Sequence, residues 1–185
     1  MGEIREWLAS MSPDRRRVTL RQLPQRLARQ KDGETLYRLL TDFNFIEAKI
    51  SHPELVTQDV IDDYQAALDA GVLFAGEKAE TLRLIQGAIR LSAHILEKDK
   101  TQLAGQLWGR LLSFDVPEIR EMLEVAKQRQ TTLWLRPLTP SLTPPGGALL
   151  RTLTGHTSGV YAVAIAPDGK FAVSASSDNT LKGWD

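Results

Sequence analysis

Two periods of hydrophobic spacing divide the chain. Up to about Gln130, apolar residues recur every three to four positions, the spacing of helices that bury one face. Ile4, Trp7, Leu8 and Met11 share one face of a short first helix, which Ser12-Pro13-Asp14 breaks. Leu20, Leu23, Leu27 and Ala28 form the next stripe; Pro24 within it must start the helix or kink it. Asp32-Gly33 is expected to close that element, with glycine in the left-handed position after it. A short helix carries Leu36, Leu39 and Leu40. The spacing of Asn44 and Glu47 predicts a capping box opening a helix with Phe45, Ile46 and Ile50. Thr57 is expected to cap a helix bearing Val60, Ile61, Tyr64, Ala67 and Leu68. The longest helix is predicted over about 77–98, with Leu82, Ile85, Ile89 and Leu96 on one ridge and Leu84, Ala88, Leu91 and Ile95 on the next. That wide face suits a central helix packed on both flanks, and His94 falls on its polar side with Arg83, Arg90 and Glu97. Asp99 and Gln102 repeat the capping-box spacing before Leu103, Leu107, Trp108, Leu111 and Leu112. Gly105 and Gly109 there would let another backbone approach. Asp115-Val-Pro-Glu118 opens a last helix with Ile119, Leu123 and Ala126.

After Gln130 the pattern fails. TTLWLRPLTPSLTPPGGALL holds Pro137, Pro140, Pro144 and Pro145 and must run extended. Its apolar start, Trp134, Leu135 and Leu138, is expected to lie on the helices and the remainder to be a free linker. Period-two alternation then predicts strands over 149–154, 160–166, 171–176 and 180–184, with Pro167-Asp168-Gly169 turning the chain between the second and third.

The bulk properties narrow the function. Lys plus Arg equal Asp plus Glu at 23 each, so the net charge is zero and no electrostatic case for nucleic acid or anionic membrane arises. There is no cysteine, hence no disulfide, thiolate metal site or cysteine nucleophile. No secretory leader or membrane-spanning run is evident, and a cytoplasmic protein is expected. Asp59, Asp62 and Asp63 invite a metal reading, but acids early in a helix are favoured by its dipole alone. Arg15, Arg16 and Arg17 are expected in a solvated turn; together with Arg21, Arg26 and Arg29 they are the residues a nucleic-acid-binding alternative would use.

The final stretch, LRTLTGHTSGVYAVAIAPDGKFAVSASSDNTLKGWD, opens on Gly-His and closes on Trp-Asp. It resembles one repeat of a WD-repeat β-propeller. The resemblance implies that strand d, Leu149–Thr154, is the outer edge of one blade, while strands a, b and c begin the next. It further implies a structural hydrogen-bond chain: Asp178 accepts from His156, which contacts Ser174, itself bonded to the Trp184 indole. A fully paired buried network of this kind locks loops to a sheet. A hydrolytic reading of His, Ser and Asp lacks an oxyanion hole or cleft. Gly183 departs from the usual Val or Ile, and a weaker strand is expected there. Propellers use about 4–8 blades, so a single repeat implies a piece of a larger protein.

The helical segments LRQLPQRLARQ, LLTDFNFIEAKI, DDYQAAL and LSAHILEKDKTQLAGQLWGRLLS, with the strap WLRPLTPSLTPPGGALLRTLTGH, resemble large bacterial, cyanobacterial-type WD-repeat proteins with an Apaf-like helical domain. That family places the helical arm after a nucleotide-binding module, in signal-transduction ATPase-like proteins. No G-x-x-x-x-G-K-[ST] loop occurs here, so ATP is not carried over and no cofactor is expected. The fold expected is mainly α: an Apaf-like helical domain of about seven to eight helices over 1–138, a Pro/Gly-rich linker over 139–148, and a single WD-type blade unit of three to four antiparallel strands over 149–185. The expected function is a non-catalytic protein-interaction and signalling module with protein partners, able to self-associate through open blade edges. The alternatives are a truncated product without independent activity and the nucleic-acid-binding module.

Overall fold

The computed structural model describes residues 3–69, 74–129, 136–149 and 152–184. The chain forms two compact units, Met1–Arg151 and Thr152–Asp185. In the first, the described residues form eight α-helices: α1 Glu3–Ala9, α2 Pro13–Gln30, α3 Gly33–Leu40, α4 Phe43–Ser51, α5 Thr57–Asp69, α6 Gly76–Leu96, α7 Leu103–Leu111 and α8 Pro117–Arg129. None of the described helices is long and apolar enough to cross a membrane.

Local chemistry sets the boundaries, sometimes with other residues than the spacing suggests. Ser12 caps α2 by accepting from the Arg15 amide, with Pro13 at the first helical position. Arg15, Arg16 and Arg17 therefore stand on the first turns of a helix instead of in a loop. Pro24 lies buried inside α2 and does not stop it; only the Leu20 carbonyl loses its helical donor. The left-handed residue that ends α2 is Lys31, at φ 59°, and Gly33 begins α3 under the Asp32 cap. Asp42, not Asn44, caps α4, accepting from the Asn44 and Phe45 amides at 2.7 and 3.1 Å. An acid one residue before Phe43 reaches those amides better than a side chain already inside the first turn. Thr57 is the first residue of α5, and Asp59 accepts from the Val56 amide at 2.8 Å. Asp99 caps a single 3-10 turn, Lys100–Gln102, ahead of α7, and Gln102 bonds its carboxylate at 3.1 Å.

The core is organised on α6, whose Leu82, Ile85, Ala88, Ile89 and Leu96 are fully buried. It packs against α5 on one side and α7 on the other. Polar groups inside this core tie the helices together. The Tyr64 hydroxyl donates to the Leu40 carbonyl at 2.6 Å and the Gln86 amide to the Ile61 carbonyl at 3.1 Å. Lys49 of α4 pairs with Asp63 of α5, both side chains 1% exposed. Asp59, Asp62 and Asp63 thus have separate tasks, since Asp62 accepts from Gln58 and Asp59 closes the helix start. His94 is half-buried, not solvated, and its Nδ1 is out of water's reach without a partner among the described residues.

Chain 137–145, expected to be free beyond Leu138, lies on the helical unit. Pro137 accepts from the Trp108 indole at 3.0 Å, while Ser141 and Leu142 both donate to the Gly109 carbonyl. Arg110, 7% exposed, donates to the Thr143 carbonyl, to Ser92 Oγ and to the Leu91 carbonyl. Leu138, picked for its apolarity, is 83% exposed. Backbone hydrogen bonding and proline shape hold the strap, and neither has a hydrophobic period. Trp134 and Leu135 lie outside the described residues. Two glycines admit the strap: a Cβ on Gly109 would meet the Leu142 side chain at 2.9 Å, and one on Gly87 would meet Pro145 at 2.8 Å. Gly105 faces open space instead. Gly109→Val is expected to lift the strap, read as lost hydrogen-exchange protection of the Ser141 and Leu142 amides.

The second unit is a three-stranded antiparallel sheet of order β1-β2-β3, with β1 Val160–Ile165, β2 Ala172–Ser176 and β3 Leu181–Trp184. Strand d does not form in its described part: Leu149 and residues 152–154 are outside any strand. An outer strand needs a neighbour to complete its hydrogen bonds, and among the described residues β3 pairs only with β2.

Candidate functional site

The site grows from the β2–β3 turn. Asn179 takes the left-handed conformation at φ 62°, which lets the chain reverse within Ser177–Asn179. Ser176 and Ser177 bond back to the loop before β1, through the Ser158 and Gly159 carbonyls. The reversal aims the Asp178 carboxylate at that loop. One oxygen accepts from the Thr180 hydroxyl at 2.6 Å and its amide at 3.0 Å; the other accepts from the Thr157 amide and His156 Nδ1, both at 2.9 Å. The Thr180 hydroxyl leads the interactions that hold this carboxyl well below the ordinary carboxylate range, followed among the favourable ones by the Thr157 amide and His156; desolvation opposes them.

From His156 the chain of bonds runs inward. Its Nε2 lies 2.7 Å from Ser174 Oγ, and the Trp184 indole donates to the same oxygen at 2.8 Å. One proton per link can satisfy every member: the indole donates to Ser174, Ser174 to Nε2, and Nδ1–H to Asp178. Ser174 is 3% exposed, and the His156 and Asp178 side chains are 6% and 8% exposed. Trp184 meets the imidazole edge-on at 6.1 Å. Gly155 lies beside the indole and the Lys182 side chain, to which a Cβ there would stand 3.5 and 3.2 Å. The structure thus brings His156, Ser174, Asp178 and Trp184 into one chain of contacts. Spacing alone misses Thr157 and Thr180; hydroxyl residues beside an Asp-Asn turn are the signal that could reveal Thr180. Chemically the arrangement fastens two loops to a sheet, because the Ser174 hydroxyl is buried and engaged on both sides.

The space left by the missing side chain of Gly183 is filled. Gly183 pairs with Val173 in the sheet, and the Phe171 ring occupies the space a Cβ would take. A cross-strand aromatic covering a glycine supplies the missing packing. Gly183→Val is therefore expected to destabilise the sheet by about 1–3 kcal/mol through overpacking. Thermal melting should show Phe171→Ala relieving that cost when combined with it.

The sheet leaves much apolar surface open: Tyr161 is 77%, Val163 62%, Ile165 69% and Leu181 73% exposed. Residues 147–185 match the WD domain, G-beta repeat family. The C-terminal sheet is that of a WD repeat, following a helical unit. The small ribosomal subunit protein RACK1 of Dictyostelium discoideum is 41% identical over 61 residues, which is 33% of this chain and 18% of that protein. The transcriptional repressor tup12 of Schizosaccharomyces pombe is 54% identical over 45 residues, 24% of this chain and 8% of that one. The NACHT domain- and WD repeat-containing protein 1 of Mus musculus is 32% identical over 113 residues, 55% of this chain and 7% of that protein. The chain thus spans less than a fifth of these relatives' lengths. No solved structure matches it.

The six arginines of the nucleic-acid alternative all lie on α2. Helical spacing sends Arg15, Arg26 and Arg29 to one side, Arg17 and Arg21 to the other, and Arg16 between. Arg17 is already paired with Glu54 at 3.0 Å. A continuous basic stripe does not result.

Proposed function

We propose that this chain is a non-catalytic protein-interaction and signalling module: an Apaf-like helical arm followed by the first WD repeat of a signal-transduction ATPase-like protein, acting in the cytoplasm. The observation that carries the reading is the open sheet, whose strands expose Tyr161, Val163, Ile165 and Leu181 to solvent. Contiguous exposed apolar surface marks protein association, and a sheet with unpaired edges is a template for more β-structure. The ATPase-like context is supported by the NACHT-type relative. Its similarity covers 55% of the chain, more than residues 147–185 can supply, so it extends beyond the repeat. The buried and doubly engaged Ser174 supports a network that holds the blade over one that turns over substrate.

Sedimentation equilibrium of the 185-residue chain tests this. Concentration-dependent association is expected, and Val163→Lys or Ile165→Lys should abolish it without loss of helical signal. A monomer at all concentrations that binds no apolar dye would remove the basis of the reading.

A further inference from the structure

Helices α1, α2, α4 and α8 line an open hollow of about 450 Å³ on the helical unit. Arg5, Arg16, Arg129, Asn44, Glu47 and Ser51 line it. Arg129 is committed, donating through Nε and Nη2 to Glu47 at 3.0 and 2.8 Å. Among the described residues no carboxylate pairs with Arg5 or Arg16. Arg16 Nε is moreover buried without a partner among the described residues. Asn44 is 7% exposed, and its backbone amide is taken by the Asp42 carboxylate. The buried Arg16 Nε hydrogen thus lacks an acceptor on this hollow, whose lining also holds the exposed Arg5 guanidinium.

We propose that this cavity binds the phosphoryl group of a small phosphate monoester, held by Arg16 and Arg5 with Asn44 and Ser51 as neutral donors. A dianion matches the two spare positive charges, where a carboxylate matches one. Guanidinium forks suit phosphate oxygens in particular. The volume lies within the range of small-ligand sites, about 300–1,000 Å³, and Leu8, Ala9 and Ala48 in the same lining supply a surface for an apolar ester group. The dispersal of the other α2 arginines turns the site away from a polyanionic strand.

The test is calorimetric titration of the 185-residue chain with phenyl phosphate at low salt. One-to-one binding is expected, about tenfold weaker with benzenesulfonate, a monoanion carrying the same ring. Arg16→Gln and the exposed Arg5→Gln should each weaken it by about tenfold or more. Arg26→Gln, on the same helix but outside the cavity, should leave it unchanged. Inorganic phosphate as a second titrant shows whether the ester group contributes: weaker binding than phenyl phosphate supports a monoester, equal binding overturns that part. No binding of phenyl phosphate at millimolar concentration overturns the proposal, as does equal weakening by Arg26→Gln and Arg16→Gln. Should Arg16→Gln fail to fold, Arg5→Gln on the surface decides.

Discussion

Lys49→Met is expected to destabilise the helical unit by roughly 3–5 kcal/mol at pH 8, the cost of leaving a buried carboxylate without its counter-ion. The pair sits between α4 and α5 with both side chains 1% exposed, and Asp63 Oδ1 has no partner among the described residues. Burial already pushes the Asp63 carboxyl up to about 7, against the lowering pull of Lys49. The sign follows from proton linkage. A carboxyl raised in the folded state contributes stability that is fully present below its unfolded value, near 4, and is lost as pH rises through about 7. Removing Lys49 raises it further, so Lys49→Met should recover much of its stability as pH falls from 8 to 5. The double variant Lys49→Met/Asp63→Leu should melt near the parent or above it, because two apolar groups of similar volume replace a desolvated pair. Urea denaturation of the three proteins at pH 5 and pH 8 checks all of this. A single variant as stable as the parent at pH 8 would mean that water reaches the pair.

That pair also shows where periodicity stops informing. The apolar stripes place the helices and their buried faces: Leu82, Ile85, Ile89 and Leu96 line the core side of α6. A charged residue in a buried position follows no stripe. No stripe singles out Lys49, and Asp63 reads as one of three acids placed by a dipole. Only the packing of α4 on α5 reveals that they face each other. The strap is illegible for a related reason. Its anchors are the Gly109 carbonyl, the Trp108 indole and Arg110, groups whose use depends on what lies opposite. Helix starts fail by one or two residues wherever two polar residues compete, as Asp42 and Asn44 do. The expectation for the blade's polar chain came from the resemblance to a WD repeat, which names the positions; periodicity alone does not pick them out. Phe171 over Gly183 was not legible, since a diagonal contact depends on register and not on composition.

Within the blade, Ser174→Ala should have the largest effect. It removes the one oxygen that both receives the Trp184 indole hydrogen and reaches His156 Nε2. Each stranded buried group costs about 1–3 kcal/mol, and a three-stranded sheet is near the lower limit of independent stability. The expected result is therefore loss of the sheet, while the separately packed helices keep their transition. Trp184→Phe is the informative contrast. It deletes the indole donor but leaves the Ser174–His156 and His156–Asp178 links intact, so the sheet should weaken without melting. Trypsin reads the difference, because Lys170 and Lys182 lie in the hairpin and on β3. Cleavage after both should be rapid in Ser174→Ala, intermediate in Trp184→Phe and slow in the parent. If Ser174→Ala resists trypsin as the parent does, the network is an accompaniment of the fold, and the sheet is held by its ladder and by Phe171. If Trp184→Phe is cleaved as fast as Ser174→Ala, the indole's packing beside Gly155 outweighs its hydrogen bond.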